Sequence, residues 1–184
     1  MALYARCRRL GLSPVFITDH GSIKGAELMR ARYPEEIVAG QEVTTTEGDL
    51  IGLFLKQRLP SGMTPEDTIA MIKAQDGLVY LEHPYDTRRR CLTESAIERI
   101  ATDIDIVEVF NGRATDESNR KAQDLCLTIG AAAGAGSDAH TISEIGTVYV
   151  ELAPFAGSRD FLVKLRSGRI VHPNRWVLAA RSLL

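Results

Sequence analysis

Short runs of apolar residues alternate with longer amphipathic stretches along almost the whole chain. The short runs contain three to seven residues and are followed by polar or turn-forming residues, which is typical of strands buried inside a sheet. The predicted strands of this kind are Val15–Ile17, Leu78–Leu81, Ile104–Phe110, Ala131–Gly136 and Thr147–Val150.

The amphipathic stretches between these strands predict helices, because their apolar residues recur at helical spacing. Thr64 is a cap-forming residue before Pro65, which is favoured in a first helical turn, and Gly77 follows the end of the same segment. Ser22 is the candidate N-cap of another helix. The predicted helices are Ala2–Leu10, Ser22–Arg32, Pro65–Gln75, Thr93–Ala101, Thr115–Ile129 and Ser158–Leu165.

One part of the chain departs from this alternation of strand and helix. Ile37–Thr46 and Leu50–Leu55 are both rich in strand-forming residues and are separated only by Glu47-Gly48-Asp49. Glycine accepts the positive φ that a tight turn needs, so these segments predict an antiparallel hairpin. The rest favours parallel β-α units, closed as a barrel or open as a doubly wound sheet. In both layouts, functional side chains gather at the carboxyl ends of the strands.

The composition is that of an ordinary globular protein and predicts one domain over residues 1–184. Hydrophobic residues make up 45% of the chain and charged residues 25%, which is enough for a single sizeable core. The 22 basic and 24 acidic residues are well mixed, so the net charge of −2 provides no global attraction for nucleic acid. No apolar run is long enough to span a membrane.

The cysteines indicate a reducing compartment. Cys7, Cys91 and Cys126 lie far apart without paired spacing, which fits free thiols better than a disulfide framework. No apolar stretch of the kind found in secretory signals follows the arginines near the N-terminus. We therefore expect a cytoplasmic protein.

Three of the four histidines lie directly after predicted strands, each close to a carboxylate. Divalent ions such as Zn²⁺ and Mn²⁺ bind imidazole and carboxylate groups at about 2.0–2.2 Å, and Glu42, inside a β segment, is suited to bridge two ions. Each residue alone has a simpler interpretation, as a loop histidine or a turn cap. Together they predict a metal cluster, because a cation offsets the cost of burying several titratable groups. The three segments are Asp19-His20, Glu82-His83 and Asp138-Ala139-His140.

These residues resemble the motifs of a known family, the polymerase and histidinol phosphatase (PHP) domain. Four such motifs in the order of the family are specific evidence of similarity, although any one is weak. The resemblance implies a distorted (β/α)7 barrel that hydrolyses phosphate esters with up to three divalent ions, Mn²⁺, Zn²⁺ or Fe²⁺. The motif region covers about residues 3–150, and about 147–184 form a C-terminal extension. The motifs are Ile17-Thr18-Asp19-His20-Gly21, Gly40-Gln41-Glu42-Val43, His83-Pro84 and Gly136-Ser137-Asp138-Ala139-His140.

The resemblance also implies a role for each ligand. Glu42 would bridge the first and second ions, and Asp138 would complete the first. His83 would hold the second ion, and His20 and His140 would hold the third.

The sequence differs from the family pattern at the first motif. Members open with a strand carrying a His-x-His pair and a further histidine, and none of these precedes the helix Ala2–Leu10. We therefore expect a barrel that lacks its first strand and has two unpaired edges. A late start codon, a fragment or a decayed site would each explain this. Asp49 stands where some relatives place a histidine, so it is either a second-metal ligand or a hairpin-turn residue.

Three residues around the predicted cluster are candidates for binding phosphate or substrate. Asn111 ends a predicted strand and is either a substrate ligand or a turn asparagine. Arg88 belongs to the run Arg88–Arg90, and its guanidinium is suited to bidentate phosphate binding, although a solvated basic loop explains two of these three arginines. Arg113 is a weaker candidate of the same kind.

The leading functional hypothesis is a metal-dependent phosphoesterase that hydrolyses a phosphate monoester of a small metabolite or nucleotide with metal-activated water. Asp19 and His140 are candidates for delivering a proton to the leaving group. The expected partner is a small phosphorylated substrate and not a membrane, and the oligomeric state stays open.

Two alternatives remain open. A nuclease acting on DNA or RNA ends would use the same chemistry, but the sequence lacks the aromatic-rich basic groove that single strands favour. A degenerate, non-catalytic PHP domain would keep the fold for partner binding or metal storage, and the missing first motif favours this alternative.

Overall fold

The computed structural model describes residues 2–172, and within this range the chain forms six α-helices, eight strands and a 3₁₀ turn at Ala101–Asp103. The strands are β1 (Val15–Ile17), β2 (Ile37–Thr44), β3 (Asp49–Leu53), β4 (Leu78–Leu81), β5 (Ile106–Asn111), β6 (Ala132–Gly136), β7 (Tyr149–Glu151) and β8 (Arg169–Val171). The helices are α1 (Ala2–Leu10), α2 (Lys24–Arg32), α3 (Pro65–Lys73), α4 (Glu94–Ile100), α5 (Asp116–Ile129) and α6 (Gly157–Leu165).

Six of the strands form one open sheet in chain order, from β1 to β6, while β7 and β8 form a separate antiparallel pair. The pairs β1-β2, β4-β5 and β5-β6 are parallel, whereas β3 runs antiparallel to both of its neighbours. The antiparallel pair β2-β3 confirms the hairpin predicted around Gly48, whose φ is 140°. The pairs β1-β2, β4-β5 and β5-β6 are parallel, as the alternation of strand and helix predicted. The pair β3-β4 departs from this prediction, because it is antiparallel although helix α3 lies between its strands.

The sheet is curled, so that its two edges approach each other. His20 follows β1 and His140 follows β6, yet the centroids of their rings are 6.3 Å apart. In a flat sheet with strands about 4.8 Å apart, five gaps would separate the edges by about 24 Å. The carboxyl ends of strands from both edges therefore line one opening, which we call the mouth of the sheet.

The outer face of the sheet carries Val43, Val79 and Val107 and is covered by α3, α4 and α5. These valines pack with Ile72 of α3 and Ile97 of α4 in the largest apolar cluster of the described chain. Burial of this kind contributes about 25 cal/mol for each Å² of apolar surface removed from water, so this layer is the main source of stability.

The inner face has an apolar floor that is covered by α6. Ile51, Tyr80 and Ile106 lie side by side on β3, β4 and β5, and they pack against Phe161 of α6. The ring of Phe161 lies 5.0 Å from that of Phe16 on β1, so α6 extends across the hollow of the sheet. Side chains two residues farther towards the mouth stand above this floor.

Three helices begin after a threonine N-cap, and the cap predicted at Thr64 is confirmed. Thr64, Thr93 and Thr115 each accept a hydrogen bond from the N–H three residues later, which is how an N-cap satisfies a first-turn donor. The prediction that Ser22 caps α2 is wrong, because the helix begins at Lys24 and the serine hydroxyl accepts only from the N–H of Lys24, at 3.1 Å.

Two strand details differ from the sequence-based expectation. Asp49 is the first residue of β3 and not a free turn residue, since it pairs with Thr44 across the hairpin. Strand β8 was not predicted, because three residues are too few to show alternation.

None of the helices between residues 2 and 172 is long and apolar enough to cross a membrane.

Candidate metal centre

Four carboxylates line the inner face at the mouth of the sheet and are almost completely buried. Glu82 and Glu108 lie two residues beyond the floor residues of β4 and β5, and Asp49 lies two residues before that of β3. Glu42 lies on β2 directly opposite Ile51. The four residues expose only 8% (Glu42), 6% (Asp49), 3% (Glu82) and 5% (Glu108) of their surface.

Burial and nearby negative charges raise the pKa of the three glutamates. Burial raises the pKa of Glu42 to about 7, and the nearby charge of Asp49 adds to this shift. The pKa of Glu82 lies well above its usual range, because the group is buried and faces the charges of Glu42 and Glu108. Burial raises the pKa of Glu108 to about 7, although three hydrogen bonds lower it in part. A concentrated negative charge of this kind is costly to bury without a cation.

His83 follows Glu82 and shares its surroundings. Consecutive side chains of a strand normally point to opposite faces, but His83 has a φ of +28°, which is rare for a residue other than glycine. The turn brings the imidazole Nε2 to 3.4 Å from the Glu82 carboxylate. Burial lowers the pKa of His83, and the charge of Arg89 lowers it further, so the ring is neutral and able to bind a metal.

The residues present fit a divalent ion. One ligand atom from each of Glu42, Glu82 and His83 lies within 4.8 Å of the other two. Both ring nitrogens of His83 and Oε1 of Glu82 are buried without a hydrogen-bond partner among the described residues. Buried polar atoms in folded proteins almost always have a partner, and a cation held between these atoms would supply one.

The other half of the site is held together by hydrogen bonds to Glu108. Its carboxylate accepts from the hydroxyl of Tyr80 (3.0 Å), the backbone N–H of His83 (2.9 Å) and Nδ2 of Asn111 (2.9 Å). Asn111 also donates to Oδ2 of Asp138, at 3.3 Å. Glu108 therefore fixes the backbone of one predicted metal ligand and, through Asn111, the side chain of another.

The rim of the mouth carries the remaining predicted ligands. His20 is exposed, and its Nδ1 lies 3.0 Å from Oε1 of Glu42. The Nδ1 of His140 lies 3.0 Å from the carbonyl of Asp138 and 3.5 Å from its carboxylate. Asp138 has a φ of +48°, a strained conformation that clusters at functional sites. The structure thus brings His20, Glu42, Asp138 and His140 together with the buried cluster.

Each arginine of the run Arg88–Arg90 contacts a different carboxylate. Arg88 donates to both oxygens of Asp86, at 2.8 and 2.9 Å, and not to the cluster. Arg89 lies 2.7 Å from Asp138, and Arg90 lies 3.5 Å from Asp49. Arg89 is therefore the arginine that reaches the predicted metal ligands.

Three other predicted site residues lie outside the buried cluster or bind backbone groups, namely Arg113, Asn111 and Asp19. Arg113 is exposed, and its backbone N–H donates to Oδ1 of Asn111 at 2.8 Å. Asn111 therefore stabilises a backbone turn with its oxygen and binds the carboxylate of Asp138 with its Nδ2. Asp19 is exposed, and its carboxylate lies over Gly25, where an added Cβ would come within 2.4 Å of Oδ2. Asp19 thus faces the first turn of α2, while His140 faces the cluster.

Sequence reasoning missed Glu82 and Glu108 as members of the site. Both were visible as charged residues in or directly after apolar parallel strands, in Leu-Glu-His and Val-Glu-Val contexts. Parallel strands are covered on both faces, so a carboxylate within one is buried and needs a compensating partner.

The predicted resemblance to the PHP family is confirmed by comparison with known proteins. Residues 116–170, from α5 into β8, match the family described as PHP-associated. The uncharacterized proteins MJ1587 and MJ0417 of Methanocaldococcus jannaschii are 39% identical over 112 residues and 34% identical over 121 residues. These matches cover 59% and 63% of this chain, and 64% and 51% of the relatives, so the chain spans only part of their length.

Solved structures share the fold at low sequence identity. A two-domain protein of Bacteroides vulgatus, described as containing a predicted PHP-like metal-dependent phosphoesterase, is 16% identical with a TM-score of 0.69, over 93% of this chain and 60% of that one. PsfC of Pseudomonas syringae has a TM-score of 0.68 at 15% identity, and the match covers 94% of this chain and 82% of PsfC. A Bifidobacterium adolescentis protein, provisionally described as a metal-dependent phosphoesterase, has a TM-score of 0.60 at 15% identity. That match covers 76% of this chain and 81% of the other protein. The chain therefore has a mixed α/β fold like that of PHP-like proteins.

Proposed function

We propose that the chain is a metal-dependent phosphoesterase that hydrolyses a phosphate monoester of a small metabolite or nucleotide. The observation that carries the proposal is the group of buried carboxylates and a neutral imidazole, with unpartnered ligand atoms, at one mouth of a curled sheet. The PHP-associated match and the descriptions of the structural neighbours support the same general chemistry.

Each predicted ligand has a defined place in this proposal. Glu42, Asp49 and His83 would hold one ion, with Glu42 shared by a second that Asp138 completes. His20 and His140, whose ring centroids lie 6.3 Å apart at the rim, would hold a third. Divalent ions at such a site supply a nucleophilic water near neutral pH and neutralise phosphoryl oxygens. Mn²⁺, Zn²⁺ and Fe²⁺ all suit a mixture of imidazole and carboxylate ligands.

The side chains around the cluster would orient the substrate. Arg89 presents a guanidinium at the rim, and a phosphate oxygen would compete with Asp138 for its N–H groups. Asn111 is held by Glu108 and would keep Asp138 in place while the substrate binds. Arg88 and Arg113 would add positive charge beyond the rim.

Proton delivery to the leaving group would fall to His140 in a site without the third ion, because an imidazole nitrogen that holds an ion cannot also donate the proton. His140 is half exposed at the rim, 3.5 Å from the carboxylate of Asp138. Asp19 instead lies over the first turn of α2.

The distorted (β/α)7 barrel is part of the same proposal, in which a further strand would join the open edges β1 and β6 of the described sheet.

The test is phosphate release by the purified chain, stripped of metal and reloaded with Mn²⁺, on p-nitrophenyl phosphate, nucleoside monophosphates and sugar phosphates. We expect Mn²⁺-dependent release, and a Glu42→Gln variant should lose at least about a hundredfold in kcat/KM, because even outer-shell changes cost up to that much. Glu66→Gln, at an exposed ion pair with Arg99, is the control and should keep full activity.

Two results would contradict the proposal. A metal-loaded chain that releases no phosphate from any of these substrates would favour the non-catalytic alternative. Cleavage of oligonucleotides without activity on monoesters would favour the nuclease.

A further inference from the structure

Glu82 has no place in the ligand set that the sequence motifs imply, yet it lies at the centre of the buried cluster. It is 3% exposed, and among residues 2–172 no arginine or lysine forms an ion pair with it. The carboxyls that act on it most strongly are those of Glu42, Glu108 and Asp49. A purely structural glutamate at this depth would be expected to have a cation or several hydrogen-bond donors as partners, as Glu108 has.

The carboxylate is aimed at atoms that also lack partners. Oε1 of Glu82 accepts no hydrogen bond, and the two ring nitrogens of the adjacent His83 neither donate nor accept one within the described chain. These are buried side chains of different chemical types, so the cluster is more than a group of acidic residues. Each left unsatisfied would cost about 1–3 kcal/mol.

The distances suit a shared ion. Ligand atoms about 2.1 Å from one ion lie about 3 to 4.2 Å apart, depending on the angle between them. The ligand atoms of Glu42, Glu82 and His83 all lie within 4.8 Å of one another, so small side-chain rotations would complete the shell.

The backbone is shaped to place consecutive residues on the same ion. The left-handed turn at His83 is held by its N–H bond to Glu108, and its carbonyl accepts from the N–H of Asp86 (3.0 Å) and the thiol of Cys91 (3.1 Å). Without this turn, Glu82 and His83 would point to opposite faces of the sheet. The strain is thus fixed by three hydrogen bonds at the one place where it brings two ligands together.

We propose that Glu82 is a direct metal ligand and that Glu42, Glu82 and His83 hold one divalent cation. This inference rests on the proposed function only for the presence of metal at this mouth of the sheet. Even with Asp49 as a further ligand, an octahedral ion keeps open positions for water or a phosphate oxygen, as catalytic metal sites do.

The experiment is titration of Mn²⁺ into the metal-free full chain by isothermal calorimetry, for wild type, Glu82→Gln and Glu66→Gln. The Glu82→Gln substitution keeps the size of the side chain and removes the carboxylate, and we expect Mn²⁺ to bind at least about tenfold more weakly. Glu66→Gln is the control, because it makes the same substitution at an exposed glutamate that pairs with Arg99 outside the mouth. It should leave the affinity unchanged.

Metal-free melting curves separate ligation from folding. Removing one charge from a repelling group should leave Glu82→Gln melting at or above the wild-type temperature, while the increase produced by Mn²⁺ is reduced. Mn²⁺ affinity unchanged in Glu82→Gln, equal weakening in both variants, or no Mn²⁺ binding by wild type would each overturn the inference. Absence of phosphatase activity in a wild-type chain that binds Mn²⁺ would count against the proposed function alone.

A spectroscopic measurement covers the case in which Glu82→Gln does not fold. X-ray absorption of a variant with His20→Ala and His140→Ala, which lacks the imidazoles of the third proposed ion, should show one imidazole and otherwise oxygen ligands around one equivalent of Zn²⁺. No bound Zn²⁺, or bound Zn²⁺ without an imidazole ligand, would overturn the inference.

Discussion

The two halves of the candidate site are built from the same kind of residue in different states. On one side, Glu108 accepts hydrogen bonds from Tyr80, His83 and Asn111. On the other side, one strand away, Oε1 of Glu82 has no partner and the carboxyl faces other carboxyls. We call these the Glu108 half and the Glu82 half. The comparison separates a glutamate that organises the protein from one that needs an ion.

This difference has a physical consequence for stability and for binding. The Glu108 half is satisfied by the protein, so its removal should destabilise the fold with or without metal. In the Glu82 half, the carboxyl of Glu82 lies against that of Glu42, and its Oε1 and the ring nitrogens of His83 have no hydrogen-bond partner among the described residues. These groups should therefore cost stability until a cation binds. Metal affinity and fold stability are therefore expected to respond to different substitutions.

The largest stability change is expected for Glu108→Ala. The substitution leaves the Tyr80 hydroxyl, the His83 N–H and the Asn111 amide without their acceptor, and each such buried donor costs about 1–3 kcal/mol. We expect the free energy of unfolding, measured in urea without metal, to fall by at least about 3 kcal/mol. Glu108→Gln retains two acceptor positions and should lose much less. Equal stability of Glu108→Ala and wild type would show that the hydrogen bonds do not organise this half.

Metal binding should stabilise the Glu82 half by an intermediate amount. At a free Mn²⁺ concentration of a hundred times Kd, the free energy of unfolding should rise by about 2.7 kcal/mol. Thermal melts over a series of Mn²⁺ concentrations measure this, with Mg²⁺ as the comparison ion that prefers oxygen ligands and keeps its water. A melting temperature independent of Mn²⁺ would remove the contrast between the halves.

The smallest change is expected for Tyr80→Phe. It removes one of the three donors to Glu108 and nothing from the Glu82 half. The free energy of unfolding should therefore fall by about 0.5–1.5 kcal/mol. The Mn²⁺ affinity measured by calorimetry should stay within experimental error. A loss of affinity larger than that of Glu82→Gln would mean that the two halves are not separable.

The sequence predicted the order of elements and the residues of the rim, because both depend on local patterns. The caps at Thr64, Thr93 and Thr115 fixed helix starts, and Gly48 fixed the hairpin. The prediction that Ser22 is the N-cap of α2 failed, because its hydroxyl accepts from the N–H of Lys24 instead of capping the helix. A cap bond and this bond both join residues close in sequence, so the sequence alone does not choose between them.

The buried half of the site was harder to predict from the sequence. The exposed or turn-borne candidates His20, Asp138 and His140 lie in recognisable motifs. Glu82 and Glu108 become site residues only through the register that places them above the floor of β4 and β5. That register depends on hydrogen bonding between strands that are distant along the chain. The ion pair of Arg88 with Asp86, in place of a contact with the cluster, depends on the geometry of one loop.

The most direct test of a cation at this mouth is the metal content of the chain purified after growth with added Mn²⁺, measured by inductively coupled plasma mass spectrometry. A double variant, Glu42→Gln with His83→Ala, is measured beside the wild type. We expect at least one transition-metal ion per wild-type chain and about one ion fewer in the folded double variant, because two of the three ligands of this ion are gone. A wild-type chain without metal, or a double variant with the same content, would contradict the account.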